Sequence, residues 1–251
     1  MAIASSPVVR LVPCEACPLR RLPHFRDFSP EELSFVSRFK RGDLVAEAGQ
    51  VILPEGSRSP NLFTLLRGWA YRFKTLEDGR RQILNYILPG DLVGLQGSVI
   101  GEMDHSVEAL TRIDLCVFER DRLMELFRDH PGLAFDITWL AAREERMLDE
   151  NLLSIGRRSA VERAAYLIAF LHERAARIGL GGPGGLAIPI SQQHVADTLG
   201  LSIVHTNKTL KRLAERGLIR WLDRRCEVLS VQGLKEIAGW AGLPEARRPL
   251  I

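Results

Sequence analysis

The 251 residues, 46% hydrophobic and 26% charged, suffice for one large or two modest domains, each with its own core. An uncharged apolar stretch such as Ile83 to Gly90 is far short of the ~18 to 20 residues a membrane span needs, and no signal-peptide core follows the N-terminus. The expected setting is therefore a reducing cytoplasm, where the four cysteines are thiols or metal ligands before disulfides. The net charge of +3 hides an asymmetry: residues 1–156 hold 19 Lys and Arg against 23 Asp and Glu (−4), residues 157–251 hold 15 against 8 (+7), so the C-terminal part suits a polyanion.

Residues 40–120 read as β. Short apolar runs at 44–45, 51–53, 61–66, 69–73, 82–88, 107–110 and 113–118 alternate with Gly42, Gly49, Gly56, Gly68, Gly79, Gly90 and Gly97, the rhythm of a β-roll or jelly roll. Within it Glu77-Asp78-Gly79 is a hairpin turn, because Asp and Gly accept the positive φ of tight turns.

From Pro131 the period becomes helical. Leu133, Ile137, Leu140, Glu144, Met147, Asn151 and Ile155 recur at three and four residues and, with Leu148 and Leu152, lay one seam along a helix ending at Gly156. Such a seam wants a partner. The same helix of a second copy is expected, with Asn151 fixing register; packing on the chain's own sheet is the plainer alternative. Ser159 with Glu162 forms a capping box that opens a second helix, Ala160 to Arg177, and GLGGPGG at 179–185 is a connector without a phosphate-loop pattern.

The strongest motif follows. Ser191 caps a short helix QQHVADTL, Gly200-Leu201-Ser202 make a turn, and IVHTNKTLKRLAERG forms a longer helix ended by Gly217. Ala196, Leu199, Gly200, Leu201, Leu210 and Leu213 supply the small and apolar inner face that a helix-turn-helix needs, which leaves the second helix free to enter a major groove. Ile203, Val204, His205, Asn207 and Lys208 then point outward, with Lys211 and Arg212 one turn on. Asn207 and His205 can bond base edges, Val204 can touch a thymine methyl and Lys208 can reach guanine or phosphate. Ser191, Gln192 and Ser202 are placed for phosphates. LIRWLDRRCEVLSV reads as two strands around Asp223-Arg224-Arg225, a basic wing. No nucleotide fingerprint, HExxH or GxSxG is present, so an enzyme is not expected.

Taken together, PGDLVG at 89–94, ALTRIDLCVFERDRL at 109–123, LGLSIVHTNKTLKRL at 199–213 and RGLI at 216–219 resemble the CRP/FNR superfamily of bacterial transcription regulators, over essentially the whole chain. The resemblance implies an α+β chain in four parts: a cysteine-containing arm at 1–30, a cyclic-nucleotide-binding-like roll at 31–130, a dimerisation helix at 131–156 and a winged helix-turn-helix at 157–251. It further implies a homodimer, a two-fold symmetric site on double-stranded DNA, and RNA polymerase as a partner. Gly94-Leu95 and His105-Ser106 stand where cyclic-nucleotide members carry Gly-Glu and Arg-Ser. Leu cannot accept a ribose hydroxyl and a neutral His is a poor phosphate clamp, which argues against cyclic AMP and leaves His105 as a surface-loop residue. Val204 and Lys208 stand where members reading the common half-site carry Glu and Arg, so a different half-site is expected.

Cys14 and Cys17 form a CxxC that, read alone, fits a redox pair or half a zinc site, without the surroundings of either. Beside the oxygen-sensing branch of the family it resembles the first two cysteines of the C-x2-C-x5-C cluster motif, and Cys116 falls at that branch's central cysteine. The resemblance thus implies a 4Fe-4S cluster on Cys14, Cys17 and Cys116, sensing oxygen or redox state. Pro23 replaces the third N-terminal cysteine, so the fourth ligand is unassigned, with His24, Asp27 and Glu15 nearby. The plainer reading keeps Cys116 as a small buried hydrophobe and the CxxC as an exposed thiol pair. Cys226 has no metal role. A regulator answering another ligand, or none, is the alternative.

Overall fold

The structure is a computed structural model that describes residues 12–181, 185–244 and 247–251. The chain divides into two compact units, one of residues 1–74, 87–145 and 246–251, the other of 75–86 and 146–245.

The first unit opens with two 3₁₀ turns, Cys14–Ala16 and Pro18–Arg21, and α1 (Pro30–Phe39). Ser29 caps α1 by accepting from Glu32 N–H while the Glu32 carboxylate accepts from Ser29 N–H, and Pro30 occupies the position where no donor is lost. The strands β1 (Lys40–Ala46), β2 (Val51–Leu53), β3 (Asn61–Arg67), β4 (Ala70–Thr75), β6 (Leu92–Val93), β7 (Ser106–Ala109) and β8 (Ile113–Glu119) form two antiparallel sheets, ordered β1-β8-β3-β6 and β2-β7-β4, while β5 (Arg81–Ile87) falls almost wholly in the second unit. All seven apolar runs of the sequence fall on strands. Ala46, Leu53, Leu65, Val107, Ile113 and Val117 fill the interior of the roll. Short helices α2 (Leu95–Ile100) and α3 (Leu123–Asp129) follow β6 and β8.

The long helix α4 (Pro131–Arg157) begins in the first unit and ends in the second. Here the expected dimer face needs correction. Leu133, Ile137, Leu140 and Met147 are buried within their own chain, Glu144 pairs with Arg72, and the Asn151 amide donates to Leu84 O at 2.9 Å. Asn151 is therefore spent on its own chain. The solvent-facing row lies one residue further on: Ala134, Thr138, Ala141, Glu145, Leu148, Leu152 and Ile155 are exposed or half-buried at the same three- and four-residue spacing. A helix with apolar residues at adjacent positions carries two overlapping seams, and the sequence does not say which one the sheet takes.

The second unit continues with α5 (Ala160–Arg177), capped by the expected Ser159–Glu162 box. Strand β9 (Ala187–Ile188), α6 (Gln192–Leu199), α7 (Ile203–Glu215), β10 (Ile219–Leu222), β11 (Arg225–Val228) and α8 (Val231–Ala238) complete it, the three strands ordered β10-β11-β9. This division falls within α4 at 145/146, not at its end, and differs from the expected boundaries at two further places. The hairpin 75–86 belongs with the second unit, and the last residues of the chain belong with the first.

Residues 247–251 explain the second difference. Arg248 N–H donates to His24 O and Arg248 O accepts from Arg26 N–H, both at 2.9 Å, forming a parallel bridge with Phe25. The Arg248 guanidinium is buried between Asp91, at 2.8 Å, and Gly90 O, at 2.5 Å, and lies over the Phe25 ring. Gly90 must be glycine here: its φ is +90°, and a Cβ would come within 2.4 Å of the Phe25 ring. Gly79 has φ +85° with open space beyond it. Gly90→Ala should therefore lower the unfolding free energy by at least about 2 kcal/mol, and Gly79→Ala by about half of that or less. Chemical denaturation of the two variants checks the difference, and equal losses would contradict it.

Candidate nucleic-acid interface and thiol cavity

Helices α6 and α7 pack through buried Val195, Ala196, Leu199, Thr206, Leu210 and Leu213. Each starts on a serine: Ser191 Oγ accepts from His194 N–H, and Ser202 Oγ accepts from His205 N–H at 3.3 Å. Gly200, at φ +64°, makes the left-handed turn that ends α6. Ser202, Ile203, Val204, His205, Asn207, Lys208, Lys211 and Arg212 are exposed on one side of α7, while Ser191 and Gln192 are half-buried. Ser202, Val204, His205, Lys208, Thr209 and Arg212 line a shallow hollow. This row is cationic and carries the α7 N-terminal N–H groups, features that suit phosphate and base-edge contacts. The wing turns at Asp223, at φ +51°, with Arg224 and Arg225 exposed. Cys226, below the turn, is fully buried, and burial pushes its thiol up to about 12.

The hairpin 75–86 holds α6 in a way no local pattern announces. Arg81 Nε donates to Asp197 at 2.9 Å, Gln82 Nε2 donates to Thr198 O at 2.9 Å, and Tyr86 Oη lies 2.9 Å from Thr198 Oγ1. These partners are 112 to 116 residues apart in sequence.

Cys14, Cys17 and Cys116 line one cavity in the first unit, together with Lys40, Thr64, Leu250 and Ile251 among others. It holds about 30 Å³, room for a water molecule or two. Cys14 comes from the first 3₁₀ turn and Cys116 from β8, paired with Asp43 of β1 and Thr64 of β3. Lys40 is buried; its ammonium pairs with Asp43 at 2.5 Å and donates to Val12 O at 2.6 Å. Asp43 in turn accepts from Val12 N–H at 2.9 Å. Burial raises the Cys14 thiol and pushes Cys116 up to about 12, with Lys40 pulling both back part of the way. In this closed arrangement both are neutral thiols at pH 7.

The donors suit an iron–sulfur group in kind, since three thiols and an ammonium face one hollow. The space does not suit it. Among the described residues no three His, Cys, Asp or Glu side chains are placed to share a metal ion, and the cavity is smaller than a cubane. None of the candidate fourth ligands lines it. The His24 ring packs edge-on against Phe25 and its main chain is held by Arg248; Asp27 pairs with Arg247, and Glu15 accepts from Ser37 at 2.8 Å. Lys40, Thr64 and the two C-terminal residues were not singled out by the sequence, because nothing local marks them.

His105, expected in a surface loop, is buried instead. Burial, with Arg72 and Lys74 adding to it, lowers its pKa to about 4, so it is neutral at physiological pH.

Comparison with known proteins gives a consistent picture. Residues 39–130 match the cyclic nucleotide-binding domain and residues 162–237 the Crp-like helix-turn-helix domain. The nitrogen fixation regulation protein FixK of Rhizobium meliloti is 32% identical over 192 residues, covering 75% of this chain and 83% of that protein. The transcriptional activator protein FnrL of Cereibacter sphaeroides is 29% identical over 215 residues, covering 84% and 86%. The structure of FixK2 from Bradyrhizobium japonicum superposes with a TM-score of 0.69 over 81% of this chain and 98% of that one, at 24% identity, a likeness of fold.

Exposed side chains on α7 should separate into two kinds. Asn207→Ala should cost about 1 to 3 kcal/mol on a specific duplex and little on random duplex, whereas Lys211→Ala should weaken both alike. Binding titrations on the two duplexes distinguish these outcomes; equal loss for Asn207→Ala would remove it from base reading.

Proposed function

Because the chain belongs to the CRP/FNR family of DNA-binding transcription regulators, we propose that it works as a homodimer on a two-fold symmetric site, with RNA polymerase downstream, and that its thiol cavity senses oxygen or redox state. The observation that carries the sensing role is the meeting of Cys14, Cys17 and Cys116 at one cavity, although about a hundred residues separate the first pair from the third. The similar proteins FnrL, FnrA and Anr are transcriptional activator proteins.

A cluster held by these three thiolates would supply an oxygen-labile group. The residues of the chain itself supply the route onward. Cys14 and Cys17 sit on the arm, and further along the same arm Arg26 donates to Asp136 of α4 at 2.7 Å and to Glu32 of α1 at 2.8 Å. A change at the thiols that shifts the arm therefore acts on the Arg26–Asp136 pair, and so on the helix proposed to dimerise. Such a switch needs only a few kcal/mol of difference between two packings of α4 to change DNA occupancy greatly.

The competing reading is the same regulator answering a ligand in the roll. A buried, neutral His105 in place of a permanent cation makes a cyclic phosphate a poor candidate for that ligand.

The closed cavity is too small for a cluster, so iron and sulfide in protein purified without air, lost in Cys116→Ser, would report a form in which the cavity has opened. Colourless, iron-free anaerobic protein would eliminate the cluster. For the dimer, the outward row predicts that Leu152→Glu gives monomers by analytical ultracentrifugation while the fold persists. Leu140→Ala should instead cost about 2 to 5 kcal/mol of stability through the cavity it leaves. A dimeric Leu152→Glu would move the interface elsewhere.

A further inference from the structure

The thiol cavity is closed by the end of the chain. Leu250 and Ile251 are each 4% exposed and form part of its wall beside the cysteines, and Ile251 O accepts from Thr64 Oγ1. Thr64 is the residue opposite Cys116 across the β3–β8 pair. The segment is held by more than apolar packing. Arg248 is locked to Asp91, Gly90 O and Phe25, as described, and the Arg247 guanidinium donates to Phe25 O and pairs with Asp27 at 3.0 Å.

The same segment is the direct continuation of the second unit. On its near side, Arg177 of α5 donates to Leu243 O and Pro244 O, each at 2.6 Å, and Glu173 accepts from Leu243 N–H at 2.8 Å. Pro244 is thus fixed to α5, and Arg247 is fixed to the arm of the first unit.

We propose that residues 247–251 are a latch: they close the thiol cavity, and their release opens the cysteines to a group larger than water. The small cavity and the sensing role are reconciled in this way. The tail occupies space that a cluster would need, and access to Cys14 and Cys116 competes with the docked tail.

The latch rests on reading the cavity as the sensor, yet it can be tested in metal-free protein whether or not iron ever binds. Iodoacetamide labelling of each cysteine, followed by mass spectrometry under air-free conditions, compares the full chain with one ending at Pro244 and with full-length Arg248→Ala. Cys14 and Cys116 should be labelled at least about tenfold faster in both variants, with Cys226 unchanged because it lies in the other unit. A synthetic peptide of residues 246–251 added to the shortened chain should slow the labelling again. Labelling of Cys116 at the full-chain rate in both variants would overturn the latch. So would a rise that appears equally at Cys226, since that reports general loosening. Failure of the cluster alone would show as absent iron with the labelling contrast intact.

Discussion

A carboxylate in a protein interior persists only when its charge and lone pairs are met, and Asp91 is met from three directions. It accepts from Leu88 N–H within its own turn, from Arg143 of α4 at 3.2 Å and from Arg248 of the tail at 2.8 Å. PGDLVG is the turn between β5 and β6, yet its aspartate ties that turn to the long helix and to the last residues of the chain. Gly90, immediately before it, leaves the space that the Phe25 ring fills. Removing one partner of such a buried set strands the others without solvent, which is why these groups stand or fall together. The arm, the roll, the start of α4 and the tail are one electrostatic assembly.

The thiol cavity shows how burial and charge oppose one another. Desolvation holds Cys14 and Cys116 as unreactive thiols, and Lys40 beside them favours thiolate, though its own charge is largely taken up by Asp43. While the cavity is shut, burial wins. Admit solvent and the desolvation cost falls, leaving the ammonium beside two thiols able to ionise. A site that is inert when closed and receptive when open needs no change in its residues, only in what covers them. Cys226 has burial without the cation.

Much of the architecture was legible because its signals are local. Capping boxes mark Ser159–Glu162 within three residues, Gly200 marks the end of α6, and short apolar runs punctuated by glycines mark the strands of the roll. Helix α1 carried the same kind of signal, Ser29 with Glu32 behind Pro30, and could have been found by the rule that found α5. What stayed hidden depends on pairings distant in sequence. His105 looks like a loop residue until Arg72, Lys74 and the rest of the roll close over it. The seam of α4 was found, but a sheet took the row starting at Leu133 and left the row starting at Ala134 to solvent, a difference of one position that only packing decides. The convergence of Cys14, Cys17 and Cys116 came from a family resemblance rather than from spacing, and the two residues that wall them in, Leu250 and Ile251, carry no motif.

The chain passes between the two units at 74/75, 86/87, 145/146 and 245/246, so the units are joined by four covalent threads rather than one linker. Each thread ends in a contact with a defined chemistry on the DNA-binding side. The hairpin delivers Arg81, Gln82 and Tyr86 to α6. Helix α4 delivers Asn151 to Leu84 O. The tail leaves through the grip of Arg177 and Glu173 on Leu243 and Pro244. Neither unit is a contiguous stretch of chain, and domain boundaries drawn where composition and periodicity change along the sequence cannot find a hairpin or a tail that folds with the other half. Those two pieces are assigned by the pairs they make, Arg81 with Asp197 for the hairpin and Arg248 with Asp91 for the tail, and not by any pattern in their own residues.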